Sequence, residues 1–344
     1  MNQPATQGEL AEIDRQLLDL LVKRFDLVRQ SETQITSVPD SPAIAALPER
    51  IGKNRAAQWL RHASSIALAD LHRHRVAFLG PEYSYSHLAT IKVFGDAHPM
   101  APVSTISAVF DSILRSDVSA GVVPIENSTD GRVVDTLGMF VRVNVKICGE
   151  VLLPIHHNLL SRSPRESITE VYSKPQALSQ CRGWLANHLP KAQTIEISST
   201  TAAAELAATK PGAAAVASIE AGRHYSLDVI DASIEDNPNN VTRFAILGRE
   251  PSSPTGNDKT ALLFQVEHRP GALADAMVMF KQEGLNLTFI ESFPLPGMNS
   301  EYLFFVETVG HVSEVKVAAV LERLRTITLR LDILGSYPKA VAIS

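Results

Sequence analysis

Between Arg75 and Arg249, short continuous apolar runs alternate with amphipathic segments. This alternation limits the fold more than any other feature of the 344-residue chain. VAFLGPE, GVVPIEN, VYSKPQ, AAAVASI and FAILG are apolar runs, most of them ending in polar or Gly/Pro turns. Between them, ISAVFDSILRS, PQALSQCRGWLANHL and TTAAAELAAT carry apolar residues at helical spacing. A strand apolar on both faces needs cover on both faces. The pattern therefore predicts α/β architecture with a largely parallel, doubly covered sheet. About 175 residues is generous for one sheet, so two lobes are expected. In open α/β sheets ligands bind beyond the C-terminal strand ends, which makes the polar tails of these runs the places to look for chemistry.

The flanks read differently. From Gly8 to about Gln34 a helix is expected, with Leu10, Ile13, Leu17, Leu20, Leu21, Leu27 and Val28 forming an apolar stripe. A Pro-rich break, SVPDSPAIAALPE, precedes a second helical stretch from Ile51 to His72. Two such helices need each other, another copy or the next domain to bury their apolar faces. After the linker EPSSPTGNDK, the segment from Thr260 to about Ala342 reads strand, helix, strand, strand, helix, strand, the ferredoxin-like βαββαβ order. It has no obvious nucleophile, so a regulatory or dimerising role is expected. The domain boundaries are therefore placed at 1–73, 75–249 and 260–342.

A net charge of −5 and a pI near 6.1 argue against nucleic acid or an anionic membrane as partner. An anionic substrate would have to find its cations locally. Two cysteines, Cys148 and Cys181, exclude a disulfide framework and a Cys-rich metal site, and free thiols suit a reducing compartment. The N-terminus lacks the apolar core of a signal peptide, and no apolar run reaches the roughly 18 residues of a membrane helix. A soluble, cytoplasmic protein is expected. There is no phosphate loop, dinucleotide fingerprint or HExxH. His156 and His157, adjacent in an expected strand, point to opposite faces, which is poor metal geometry. No metal and no cofactor are expected.

Read together, GPEYSYSHLA (80–89), VPIENSTDGRV (123–133), SKPQALSQC (173–181) and NNVTRF (239–244) resemble the successive motifs of prephenate dehydratase. Gly271–Ala272–Leu273 and the run Ile290–Pro294 resemble the phenylalanine-binding motifs of the ACT domain appended to it. The N-terminal helix is similar to the first helix of a chorismate mutase, so the whole resembles the bifunctional P-protein type. The resemblance implies a two-lobed, periplasmic-binding-protein-like catalytic domain, an N-terminal helical arm and a ferredoxin-like ACT domain. It also implies loss of water and carbon dioxide from prephenate to give phenylpyruvate, without a cofactor, in phenylalanine biosynthesis. L-phenylalanine is the implied effector, and a homodimer or homotetramer the implied assembly.

Carried over residue by residue, the resemblance assigns Thr242 to assisting departure of the ring hydroxyl. A threonine hydroxyl is a very weak acid, so it is read as a placed hydrogen-bond donor. Arg243, on the opposite side of an extended segment, either grips a substrate carboxylate or buttresses the strand through a salt bridge. Glu126, Asn127 and Ser128 follow GVVPI and either meet substrate or satisfy their own turn. Ser84, Tyr85 and Ser86 precede one helix and Ser198, Ser199 and Thr200 another; both corners suit helix capping and anion binding together. Lys174 and Gln176 stand at a third such corner. Gly271, Ala272, Leu273, Glu291 and Ser292 are the candidate effector residues.

Several positions depart from the family pattern. Tyr83 stands where the family has Gly, and needs a different backbone conformation or an opening to solvent. Lys174 stands where it often has His, adding a local positive charge. Phe293 replaces an Arg of the effector motif, so the ligand of that site stays open between phenylalanine, another amino acid and none. Arg24 matches an active-site arginine of the first mutase helix, but the other cations of that helix do not line up and a middle helix is missing. A degenerate arm kept for dimerisation is therefore expected. Alternative readings are an arogenate dehydratase, a bifunctional mutase/dehydratase and a non-catalytic two-lobed ligand sensor.

Overall fold

The computed structural model describes residues 7–30, 53–69, 75–294 and 302–340. Two helices come first, α1 (Gln7–Gln30) and α2 (Lys53–Ala69). The expected extension of the first helix to Gln34, and the place of a middle mutase helix, lie outside the described residues. α2 packs on α1. Half-buried Arg24 donates through Nη2 to Ser64 Oγ at 2.7 Å, while its Nη1 has no hydrogen-bond partner among the described residues. Leu10, Ile13, Leu17, Leu20 and Leu27 nevertheless remain exposed, as does Trp59, 73% accessible. No described helix is long and apolar enough to cross a membrane.

The first α/β body runs β1 (Val76–Leu79), α3 (Tyr85–Phe94), β2 (Met100–Val103), α4 (Ile106–Leu114), β3 (Ala120–Asn127), β4 (Gly131–Arg132), α5 (Val134–Arg142) and β5 (Lys146–Pro154). The second runs β6 (Asn158–Ser161), β7 (Glu170–Ser173), α6 (Pro175–Gln180), α7 (Arg182–His188), β8 (Gln193–Glu196), α8 (Thr200–Ala207), β9 (Ala213–Ala217), α9 (Ile219–His224) and β10 (Asp228–Asp231). The chain then returns to the first body as β11 (Val241–Gly248). It crosses between the bodies twice, after β5 and before β11.

The first sheet has the order β2-β1-β3-β11-β5, with β4 paired to the end of β3. β1 is parallel to β2 and β3, whereas β11 is antiparallel to both β3 and β5. The second sheet, β10-β6-β9-β7-β8, is also mixed: β7 is parallel to β8 and β9, and β6 antiparallel to β9 and β10. The expectation of a largely parallel sheet is corrected here. A strand buried on both faces is apolar throughout whichever way its neighbour runs, so composition does not reveal direction. Direction follows from the excursion into the second body, which brings β11 back from the opposite end.

The third unit is β12 (Asp258–Val266), α10 (Ala272–Gln282), β13 (Leu287–Pro294), β14 (Tyr302–Val309), α11 (Val315–Arg325) and β15 (Thr328–Pro338). Its antiparallel sheet has the order β13-β14-β12-β15. Alternate residues of β12 serve two cores, as a two-residue side-chain period requires. Leu262 and Phe264 pack under α10 and α11. Ala261 and Leu263 join Phe305, Leu303 and Tyr337 against Phe110, Phe140 and Ile147 of the first body. Phe293 is buried in this second cluster, so it fills the junction between the units rather than facing solvent. The two backbones come very close there: a Cβ on Gly335 would lie 2.1 Å from the Ile147 carbonyl oxygen.

Cys148 and Cys181 are buried and unpaired. Burial pushes both thiols up, Cys148 to about 12, so they stay protonated and pack as small hydrophobes.

Candidate active site

The two bodies enclose a cavity of about 480 Å³ lined from both sides. The first body contributes Ser84, Tyr85, Ser104, Thr105, Asn127 and Thr242; the second contributes Lys174, Gln176, Gln180, Ser199 and Thr200. This volume suits a small molecule. Among the described lining residues, Lys174 supplies the positive charge and Asp135 the negative one.

Three helices of eight residues or more begin at this cavity, each capped by a hydroxyl. Ser84 Oγ accepts from the His87 amide at the start of α3, Thr105 Oγ1 from Ala108 at α4, and Ser199 Oγ from Ala202 at α8. A helix start leaves backbone N–H groups unpaired and carries partial positive charge, so three of them around one hollow favour an anion. The strand-to-helix corners are therefore capped and turned toward the cavity at once.

Thr242 lies opposite Asn127 in the β11–β3 register. Asn127 Oδ1 accepts the amides of Thr129 and Asp130 at 2.9 and 3.0 Å, which turns its NH₂ group away from the turn. That NH₂ donates to Thr242 Oγ1 at 2.8 Å and to Asn240 Oδ1 at 2.9 Å. The Thr242 oxygen is thus an acceptor toward Asn127, and Thr242 lines the cavity. Asn240 Nδ2 donates to Gln180 Oε1 at 2.9 Å, and His157 Nε2 lies 2.8 Å from the same oxygen. The Tyr85 hydroxyl sits 2.9 Å from His157 Nδ1 and 2.8 Å from the His156 carbonyl. Burial lowers the His157 pKa and raises that of Tyr85 well above its ordinary value, so both rings are neutral at pH 7.

Three expected site residues do not line the cavity. Arg243 is the clearest correction. The pleat that aims Thr242 into the hollow turns its neighbour to the other face of the sheet. There Arg243 bonds Glu307 at 2.7 Å, Glu126 at 3.0 Å and Glu150 at 3.2 Å. It is held in a buried salt-bridge cluster, the second of the two expected roles, and does not line the cavity. Glu126, next to Asn127, is turned away for the same reason and holds Arg243. Ser128 spends its hydroxyl on the loop before β11, accepting from the Val241 amide and donating to the Asn239 carbonyl.

Several cavity residues escaped the sequence analysis. Gln180 follows Gln176 by four residues, a spacing that places both on one helix face. Asn240 lies within NNVTRF, and Thr105 precedes an amphipathic run as caps do. His157 reads in the sequence only as half of a poor metal-ligand pair. The structure does split the pair by face: His157 is buried beside the cavity and His156 pairs with Glu235 at 2.8 Å. Tyr83 keeps the left-handed conformation (φ 63°) that favours glycine, rather than adopting another. Its ring stacks on His224 at 4.1 Å between centroids, and its carbonyl accepts from Ser218 of the second body at 3.1 Å.

Residues 76–252, just over half of the chain, match the family model for prephenate dehydratase. The chain belongs to the prephenate dehydratase family. The bifunctional chorismate mutase/prephenate dehydratase of Pseudomonas aeruginosa is 36% identical, over 98% of this chain and 98% of its own length. The crystal structure of prephenate dehydratase from Arthrobacter aurescens in complex with L-Phe superposes with a TM-score of 0.71 at 32% identity, covering 77% of this chain and 90% of that one. A protein described as a quorum-quenching acylase is similar too, with a TM-score of 0.71, 29% identity, and 78% and 99% coverage. A shared fold can thus carry another activity. For this chain the prephenate dehydratase match extends from the β1 strand through the motif that holds Thr242.

Proposed function

We propose that the cavity between the two bodies, a two-lobed cleft, is where prephenate becomes phenylpyruvate, with Thr242 aiding departure of the ring hydroxyl. The dianion takes up one proton and yields phenylpyruvate, carbon dioxide and water. The electrons of the ring–carboxylate bond enter the ring, and the carbon–hydroxyl bond on the far side leaves with its pair, so the departing oxygen needs a proton or a strong hydrogen bond. The observation that carries this reading is the 2.8 Å bond from Asn127 to Thr242 Oγ1. It occupies a lone pair of Oγ1, which supports donation of the hydroxyl toward the leaving oxygen, and it stabilises charge on Oγ1 as that hydrogen bond strengthens. Lys174 and the hydroxyl-capped starts of α3, α4 and α8 supply the local positive potential for two carboxylates. The test is phenylpyruvate formation from prephenate by the purified chain, with arogenate in parallel. No product from either substrate would favour a ligand sensor, and a faster rate on arogenate would reassign the substrate.

The βαββαβ unit is read as an ACT domain that binds phenylalanine at the start of α10, through the backbone of Gly271, Ala272 and Leu273, and at Glu291 and Ser292 of β13. Two contacts support communication with the catalytic body. Arg132 of β4 pairs with Glu291 at 2.9 Å, and Arg243 is clamped by Glu307 of β14 and the Phe289 ring of β13. The exposed α1 stripe and the position of β13 at the edge of its sheet among the described strands support self-association into a homodimer or homotetramer. The helical arm is assigned to that association and not to chorismate rearrangement. Titration with phenylalanine, tyrosine and tryptophan checks the effector site, and a clear chorismate-to-prephenate activity would overturn the reading of the arm.

A further inference from the structure

We infer that Asp130 is a positioning residue that ties the second body to the alignment of Thr242. Asp130 belongs to the turn between β3 and β4, on the first body. Its backbone amide donates to Asn127 Oδ1 at 3.0 Å. Its carboxylate reaches α6 of the second body: Oδ2 accepts from Gln180 Nε2 at 2.6 Å and from Gln176 Nε2 as well. One residue thus holds both ends of the hydrogen-bonded chain Asn127–Asn240–Gln180, from which Thr242 hangs.

The sense of each bond in that chain follows from chemistry. An ionised carboxylate only accepts, so Asp130 turns the NH₂ group of Gln180 toward itself. The Gln180 oxygen then faces Asn240 Nδ2 and His157 Nε2, which must carry their hydrogens. At the other end, backbone amides turn the Asn127 NH₂ group toward Thr242. The two ends agree: along the amides of Asn127, Asn240 and Gln180 every donor meets an acceptor. A carboxylate this close to a site for a dianion works against substrate, and two glutamine amides on one carboxylate oxygen offset that opposition. The cost is consistent with a role in geometry rather than in binding.

This inference rests on the reading of Thr242 as the donor to the leaving oxygen. The test is steady-state kinetics on the full chain with prephenate. Asp130→Ala should lower kcat about tenfold while KM stays within about twofold of wild type or falls, because the group removed is negative and does not hold substrate. Asp130→Asn keeps an acceptor oxygen and should recover most of that loss. Asp130→Ala added to Gln180→Ala should cost nothing further, since the effect runs through Gln180. A merely structural role would move the melting temperature and leave this split unseen. An unchanged kcat in folded Asp130→Ala, or additive losses in the double variant, would overturn the inference. If Thr242→Ala kept full rate, the reading of Thr242 itself would fall first. Asp130→Ser serves the same comparison should the alanine variant fold poorly.

Discussion

Thr242 and Arg243 are neighbours on β11, yet the two faces of the strand do opposite work. On one face Thr242 meets a cavity lined by hydroxyls, amides and Lys174, where its own partner is the neutral amide of Asn127. On the other, Arg243 sits in a dry cluster with Glu307 and Glu150, flanked by Lys259, which bonds Glu150 at 2.9 Å, and Tyr337, which donates to Glu307 at 2.8 Å. The Arg243 and Glu307 side chains are only 8% and 1% exposed. Burial works against the Arg243 charge, and the two buried carboxylates outweigh it, holding the guanidinium charged well above its ordinary range. The signature NNVTRF thus serves two purposes: its threonine faces the cavity, and its arginine fastens β11 to the third unit.

The comparison breaks most visibly at Arg243. Arg243→Ala leaves Glu307 and Glu150 buried without their cation and should destabilise the fold by about 3–5 kcal/mol, measured by urea unfolding. The folded fraction should keep its kcat within a few fold; a collapse of kcat with stability intact would return Arg243 to the substrate site. Thr242→Ala should do the reverse. It should lower kcat by roughly 10²–10³-fold, the range for losing a placed donor, with the melting temperature nearly unchanged. Equal loss of stability and rate in either variant would erase the contrast between the faces.

Finer tests follow. Glu307→Gln keeps the shape and removes the charge facing Arg243, and should cost about 1.5–3 kcal/mol with basal dehydration preserved. If phenylalanine slows wild type, this variant should respond less at saturating phenylalanine; an undiminished response would place the communication elsewhere, at Arg132 and Glu291. The smallest effect expected is one of pH. Burial lowers the pKa of His157 and of His87, so the unfolded chain binds protons there before the folded one does. Stability should fall as pH drops below about 6.5, the ordinary histidine value, and be unaffected by these groups above it. His157→Gln should flatten part of that fall in a melting-temperature series. An unchanged slope would mean that His157 is not held neutral in the folded state.

Much of this was legible before the fold. The amphipathic and apolar runs located the strands and helices, and the hydroxyl-bearing corners at Ser84 and Ser199 marked two helix starts that open on the cavity. What stayed hidden depended on partners far along the chain. Phe293 reads as a lost cation in the effector motif, but it is a core residue between units. Gln180 and Asn240 carry no local signal because an amide acquires a function only from what it faces. Glu126 and Ser128 could be told from Asn127 only once the register with β11 showed which of the three points inward.

The length of the chain left room for two lobes, and the sequence by itself determined the alternation of elements and the run of motifs that places the chain in its family. These are local properties, fixed by periodicity, capping and turn chemistry. Strand direction, the enclosure of the cavity and the fate of each polar side chain were decided by tertiary structure alone. The sense of a hydrogen bond and the pairing of a buried charge depend on atoms brought together from 50 to 115 residues apart in the chain.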